Sequence, residues 1–501
     1  ERILHLPTIS AFIHQHQINV QLHYKLYLLY NISYYLNIYA NQPQLHQQAH
    51  WLMEVWHQAL KPLEPVANDG KMRHAFIKSL FEKMHQTKYA ILKFTHSELS
   101  EINEYSDIDM IVLRNDRNKI VSYATTHPMV GKCKVYRKSF MTTVELYFKD
   151  QSFLSLDLIT DFHRKDLQYI DARKFFTAIR YTFEKVKLPE ERFCFEYTWL
   201  FYLLNASHMP PKYVAYYQSM SDTVKQHILN HIKSSYGLSI VSIEECFRHT
   251  KTLRAEVLKS LATKRSNSFT KRLKRKVNYY IDTIKDLVDR RGIVITFSGV
   301  DGAGKSTIIN EVKHMLSEKF RKKVVVLRHR PSVVPILSAL TLGKKKAEEI
   351  SVSRLPRTGT NKNILLSYIR FAYYYSDYLL GQLYVFAKYS MRGYVVLYDR
   401  YYFDFIIDAK RSNMVLNENV TSWLYRFIYH PTLNLFLYAP VHIIKARKQE
   451  LDDQAIEQLT SGYKKLFSKM SLNYQQRYIP LENVDKAQTL KFIEQEIIKA
   501  A

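Results

Sequence analysis

Gly299, Gly304, Lys305 and Ser306 satisfy the spacing G-x-x-x-x-G-K-[ST], between the apolar run Ile293 to Phe297 and an amphipathic stretch from Thr307. Each residue type has a chemical task. Gly302 and Gly304 let backbone N–H groups turn inward around phosphate oxygens, and a following helix adds the positive end of its dipole. Lys305 can reach the β- and γ-phosphates of a nucleotide, and the Ser306 hydroxyl can ligate Mg²⁺. The spacing predicts a phosphate-binding loop from Gly299 through Ala303 to Thr307, set between a strand and a helix.

Two further groups carry chemistry. The run "YVVLYD" ends on Asp399, where a buried strand would present a carboxylate to Mg²⁺ or its waters, and Arg400 beside it offers a fork of donors to a phosphate. Upstream, "YSDIDMIV" puts Asp107 and Asp109 two apart, hence on one face of a strand. Paired carboxylates repel unless a cation lies between them. Asp157, in "FLSLDLI", is a third candidate, and three carboxylates on adjacent strands would suit two-metal nucleotidyl transfer. His46, His50 and Glu54 form one stripe at helical spacing.

A chain of 501 residues is too long for one ordinary core, so two to four domains are expected. Its composition is 47% apolar, which is globular rather than disordered. Cys133, Cys194 and Cys246 form no CxxC pair, which fits a reducing, cytoplasmic setting. A net charge of +27 calls for an anionic partner, and nucleotides, nucleic acid, phosphorylated sugars and an acidic membrane face all remain open. No apolar run is long enough to span a bilayer, although peripheral membrane contact stays open; "FAYYYSDYLLGQLYVFAKY" from Phe371 reads as a buried amphipathic helix.

The expected class is multidomain α/β: an α+β module with helical additions, then a parallel-sheet α/β module. Residues 1–70 read as helical, broken at Pro43, and residues 71–170 as short strands, including "KVYRKSF", "TTVELYF" and "FLSLDLI". Helical periodicity is expected from about Asp171 to Leu261. The run Lys264 to Lys276, with seven Lys or Arg and no acid, reads as a solvated linker or helix face, or an anion-binding strip. A new module is expected from about residue 291.

"GVDGAGKST", "VVVLRHRP", "GYVVLYDRYY" and "LNLFLYAPVHIIKARKQELDD" resemble thymidylate kinases in order and spacing over residues 291–501. The resemblance implies a parallel sheet wrapped by helices and γ-phosphoryl transfer from ATP with Mg²⁺. It implies that Lys305 and Arg400 steady the transferring group, that Asp301 lies on the acceptor side, and that Arg328 or Arg330 holds the acceptor phosphate. Lys445 and Arg447 would belong to a lid. Phe371 and Tyr375 fall where the family reads its base, but tyrosines, Tyr373 to Tyr375, replace an acid–arginine pair. The strand before the lid reads "LYAPV" without its usual Asp. An acceptor other than thymidylate is therefore expected, since a site that loses base-reading groups loses its discrimination.

"AILKF", "SDIDMIV" and "LSLDLI" resemble the polymerase-β-like nucleotidyltransferase superfamily over residues 72–170. That family places glycine before D-x-D, whereas Phe94, Thr95, His96 and Ser97 occupy the slot here. An active transferase, a nucleotide-binding domain without turnover, and a D-x-D that only caps an exposed strand end all remain open. So do two other readings of the whole chain: a nucleic-acid-directed factor with an ATP-dependent switch, and a non-catalytic nucleotide sensor.

Overall fold

A computed structural model describes residues 71–95, 99, 102–182, 185–248, 251–331 and 363–500. All of them belong to one compact unit, Asn68–Ala501. The helices expected over residues 1–70, the His46, His50 and Glu54 stripe, and His96 and Ser97 lie outside the described residues. The fold is mixed α/β, built on two five-stranded sheets.

Helix α1 (Lys71–Lys83) leads into β1 (Tyr89–Ile91) and β2 (Ile108–Val112), followed by α2 (Arg114–Thr126). Strands β3 (Val130–Arg137), β4 (Met141–Phe148) and β5 (Phe153–Ile159) complete the first sheet, in the order β1-β2-β5-β4-β3. Only the β2–β5 pair in it is parallel. Alternation along β2 sends Ile108, Met110 and Val112 into a core shared with α1 and α2. Ile111 faces the opposite way, into a second core, and Asp109 shares its parity. The strand expected over Lys134–Phe140 starts earlier and stops at Arg137, because Lys138 N–H turns back to Met141 O at 2.9 Å and closes a hairpin.

Two small hairpins follow, β6 (Phe162–Arg164) with β7 (Leu167–Ile170) and β8 (Ile179–Tyr181) with β9 (Lys187–Pro189). A 3₁₀ turn, Ala172–Phe176, capped by the Asp171 side chain, stands at the expected start, but α-helix begins only about twenty residues later, with α3 (Glu191–Leu204). The reason is local: Lys185, at φ +60°, closes a turn on Thr182, and Pro189 ends the hairpin. Helices α4 (Pro211–Gln218), α5 (Asp222–Tyr236), α6 (Ile243–Phe247) and α7 (Lys251–Thr263) pack on α3 around Trp199, Leu200 and Ile232. Most of the basic run Lys264–Lys276, read as a linker or a helix face, forms the first turns of α8 (Phe269–Asp289).

The second sheet is all parallel: β10 (Val294–Gly299), β11 (Lys323–Arg328), β12 (Tyr394–Asp399), β13 (Leu433–Tyr438) and β14 (Arg477–Glu482), in the order β11-β12-β10-β13-β14. Around it lie α9 (Lys305–Glu318), α10 (Ile364–Lys388), α11 (Phe403–Ile407), α12 (Glu418–Leu424), α13 (Val441–Arg447), α14 (Asp453–Asn473) and α15 (Lys486–Ala500). Strands buried on both faces explain the continuous apolar runs "VITF", "VVLY" and "LFL". β10 is central, with β12 and β13 on either side, so connections leave its carboxyl end in both directions and open a crevice there.

Candidate functional site

The crevice holds the glycine loop. β10 ends on Gly299, whose φ of +155° and closeness to the Leu437 carbonyl leave no room for a Cβ. Gly302 and Gly304 have φ of +89° and +85°, and Gly304 is the N-cap residue of α9, so the loop runs directly into the helix N-terminus. Ala303 is buried, and its carbonyl accepts from Asn483 Nδ2 at 2.7 Å. Lys305 Nζ donates to Gly299 O and Val300 O, both at 2.9 Å, and stands 3.9 Å from Asp301. Burial, then the charge of Arg400, pulls the Lys305 ammonium down to about 7.

Asp399 ends β12 in register with Arg328 at the end of β11. The next residue, Arg400, takes φ +74°, an uncommon conformation outside glycine that is held by its N–H to Phe297 O at 2.8 Å. Its guanidinium reaches Asp301 at 2.6 Å and Asp404 at 2.9 Å, and Tyr463 donates to Asp404 at 2.7 Å. Arg411 pairs with the other oxygen of Asp301. Burial opposes ionisation of Asp301, but Arg400, Lys305 and Arg411 outweigh it and hold the carboxyl well below its usual range. His329, also left-handed, is kept neutral by burial, its pKa lowered to about 4.

Of these groups Asp301, Gly302, Gly304, Lys305, Arg328, Asp399, Arg400 and Arg411 line a cleft of about 690 Å³, together with Ser306, Thr307, Arg447, Lys448, Asn483 and Lys486. Its lining carries seven cationic side chains, Lys305, Arg328, Arg400, Arg411, Arg447, Lys448 and Lys486, against the carboxylates Asp301 and Asp399. Such a balance binds polyanions. The structure thus brings together Gly302, Gly304, Lys305, Ser306, Thr307, Asp301, Arg328, Asp399, Arg400 and Arg447.

Other expected site residues lie apart from the cleft lining. Arg330 is buried in a 2.5 Å pair with Asp377 of α10 and stacks on Tyr374, so of the two candidates only Arg328 lines the cleft. Phe371 is core, packed on Tyr375, Tyr402 and Phe405, and the Tyr375 hydroxyl donates to Leu424 O at 2.9 Å. Lys445 pairs with Asp453 on the surface. Sequence reasoning missed Asp404, Arg411 and Asn483. Asp404 was readable as an i+4 partner of Arg400, whereas Arg411 and Asn483 reach the loop from 110 and 180 residues away, with no spacing to announce them.

A second constellation sits on the first sheet. Asp107, Asp109 and Asp157 place carboxylate oxygens within 4.8 Å of one another. The parallel pairing sets Asp109 opposite Asp157. Thr143 donates to Asp157 at 2.7 Å, Lys93 to Asp109 at 2.8 Å, and Arg321 to Asp107 at 2.9 Å. Burial, then the charge of Asp109, pushes Asp157 up to about 7 and raises Asp107 as well. Comparison with known proteins finds no matching family model and no matching curated protein.

Proposed function

We propose that this chain is an ATP- and Mg²⁺-dependent phosphotransferase of the thymidylate-kinase-like kind, acting on an anionic small molecule other than thymidylate. The observation that carries this reading is the convergence of Lys305, Arg328, Arg400, Arg411 and Arg447 around the glycine loop. The donor set fits the cofactor: seven cations suit a triphosphate, and the Ser306 hydroxyl and Asp399 carboxylate in the same cleft suit Mg²⁺. When bound, ATP–Mg²⁺ supplies the γ-phosphoryl group, which leaves ADP as its bond to an acceptor oxygen forms. The loop amides and Lys305 bind the phosphates, and Arg400 neutralises charge developing in transfer. Asp301 stays anionic and orients Arg400 and Arg411, while Arg328 and Arg411 offer phosphate contacts on the acceptor side. The packing of Phe371 and Tyr375 in the core supports a rewritten acceptor pocket.

Calorimetric titration with ATP–Mg²⁺ tests the donor half. Wild-type protein should bind, and Lys305→Ala should weaken binding at least about tenfold. Transfer from [γ-³²P]ATP across nucleotides, phosphorylated sugars and RNA tests the acceptor half. Thymidylate as the best acceptor would refute that half, and absent ATP binding would refute the whole.

The acidic triad supports a second reading of the other sheet, a divalent-metal site for nucleotidyl transfer. It rests on the three converging carboxylates alone. Incorporation from [α-³²P]NTP that Asp107→Asn abolishes and Lys305→Ala spares would establish it.

A further inference from the structure

Helix α8 is amphipathic in the inverted sense: its polar face is docked on the protein and its apolar face is turned to solvent. Phe269, Leu273, Val277, Tyr280, Ile284 and Val288 recur at three- and four-residue steps and so form one stripe. All six are exposed, Phe269 by 80% and Ile284 by 63%. The opposite face makes the contacts. Asp282 is buried and accepts from Ser139 N and Oγ, the latter at 2.7 Å, and Asp286 pairs with Lys138 at 2.5 Å. Arg272 pairs with Asp166 at 2.6 Å, and Arg275 donates to Asn267 Oδ1 at 3.0 Å. No described residue covers the stripe.

Charge decides among occupants. Of the three acids of α8, Asp282 and Asp286 are turned inward onto the protein and the exposed Asp289 stands at its last position, off the stripe, whereas Lys274, Lys276 and Lys285 are exposed beside the stripe. A second copy docked on the same face would bring lysine rims together with no carboxylate between them. A bilayer with anionic headgroups offers both an apolar layer for the stripe and negative charge for its rims. At 21 residues α8 is about 30 Å long and lies along the protein surface, the posture of an interfacial helix rather than a span. No described helix is long and apolar enough to cross a membrane. The neighbouring α10 also exposes Leu380, Leu383 and Tyr384, and its end meets that of α8, with Gly292 N–H donating to Ser390 O at 2.8 Å.

We propose that the apolar face of α8 docks this protein onto an anionic lipid surface, in the plane of the headgroups. Co-sedimentation of the full chain with phosphatidylcholine vesicles, with and without about 30% phosphatidylglycerol, tests it. Binding is expected to the mixed vesicles only, weakening as salt rises. The exposed-site variant Leu273→Ser/Ile284→Ser should lose at least about tenfold in partitioning, and Lys274→Glu/Lys276→Glu/Lys285→Glu about a hundredfold. Melting temperature and ATP binding should stay unchanged in both, since neither variant touches the docked face or the cleft. Failure to bind mixed vesicles, or binding that both variants retain, would overturn the proposal. So would a dimer in light scattering that Leu273→Ser/Ile284→Ser dissociates while vesicle binding is absent.

Discussion

Lys305 and Asp157 are each buried against their own charge, with opposite consequences. In the cleft, Lys305 is held near 7, while in an unfolded chain it titrates near 10.5. Across that window the unfolded chain binds more protons, so this group's contribution to stability rises with pH. A bound phosphate restores the ammonium, so nucleotide binding should draw in a proton above about pH 7 and weaken as pH climbs further. Titrations at pH 8 in buffers of different ionisation enthalpy should show uptake that is absent at pH 6 and in Lys305→Ala. Equal uptake at both pH values would remove Lys305 as the titrating group. Asp157, pushed up to about 7 from an ordinary 3.8, keeps its proton in the native state across that window while the unfolded chain loses it. Its stabilising contribution is therefore present at low pH and lost as pH rises towards 7. Asp157→Asn should raise the melting temperature by roughly 2–4 °C at pH 8 in chelator, with no gain near pH 4. No gain at pH 8 would mean that the triad carries no net repulsion. Both residues were legible in the sequence, because a contiguous motif and a two-residue alternation keep their meaning without tertiary context. Arg411 and Asn483 were not, because only chain folding brings them to the loop.

At the scale of elements, α9 links the two constellations. Lys305 opens it at the phosphate loop, and Arg321, three residues past its end, holds Asp107 of the triad. The 14-residue helix spans about 20 Å, so the two sites lie at its opposite ends rather than sharing one cleft. Arg321 adopts φ +51° and donates to Tyr105 O at 3.0 Å as well, which fixes it as a counter-ion to the triad. Lys322 beside it pairs with Glu145 at 2.6 Å. Removing a resident cation frees a carboxylate for a metal, so Arg321→Ala should tighten Mn²⁺ binding at the triad several-fold by calorimetry. Unchanged Mn²⁺ affinity would show that Arg321 does not compete there. Most strands of the two sheets announced themselves through alternation and apolar runs, but β14 (Arg477–Glu482), with its polar and proline residues, did not. Nor did the β8–β9 hairpin, since short polar strands resemble helix-flanking loops, and for α8 it was the start, not the helix from Val277, that was hard to read. A lysine-rich stretch reads as linker until the next three turns show that its apolar positions share one stripe.

For the molecule as a whole, the question is whether two sheets with separate sites unfold as one body. A single hydrophobic cluster answers it: Tyr147 and Phe153 from the first sheet pack with Phe320, Ile295 and Phe297 of the second half. The Phe153 and Phe320 rings meet edge to face at 5.5 Å, and Phe320 is only 3% exposed. Lys132 adds donation to the carbonyls of Ile498 and Lys499 at the end of α15. This junction was not legible in advance, because Tyr147, Phe153 and Phe320 carry no motif or spacing that ties one half of the chain to the other. Phe320→Ala removes the ring common to both sides and should cost about 3–5 kcal/mol. The loss should fall on coupling more than on either core, so calorimetry should resolve one transition for wild type and two for the variant, and only one of the two should shift with ATP–Mg²⁺. A variant that still melts in one transition, lowered as a whole, would place the coupling in the polar contacts of Arg321, Lys322 and Asp282 instead.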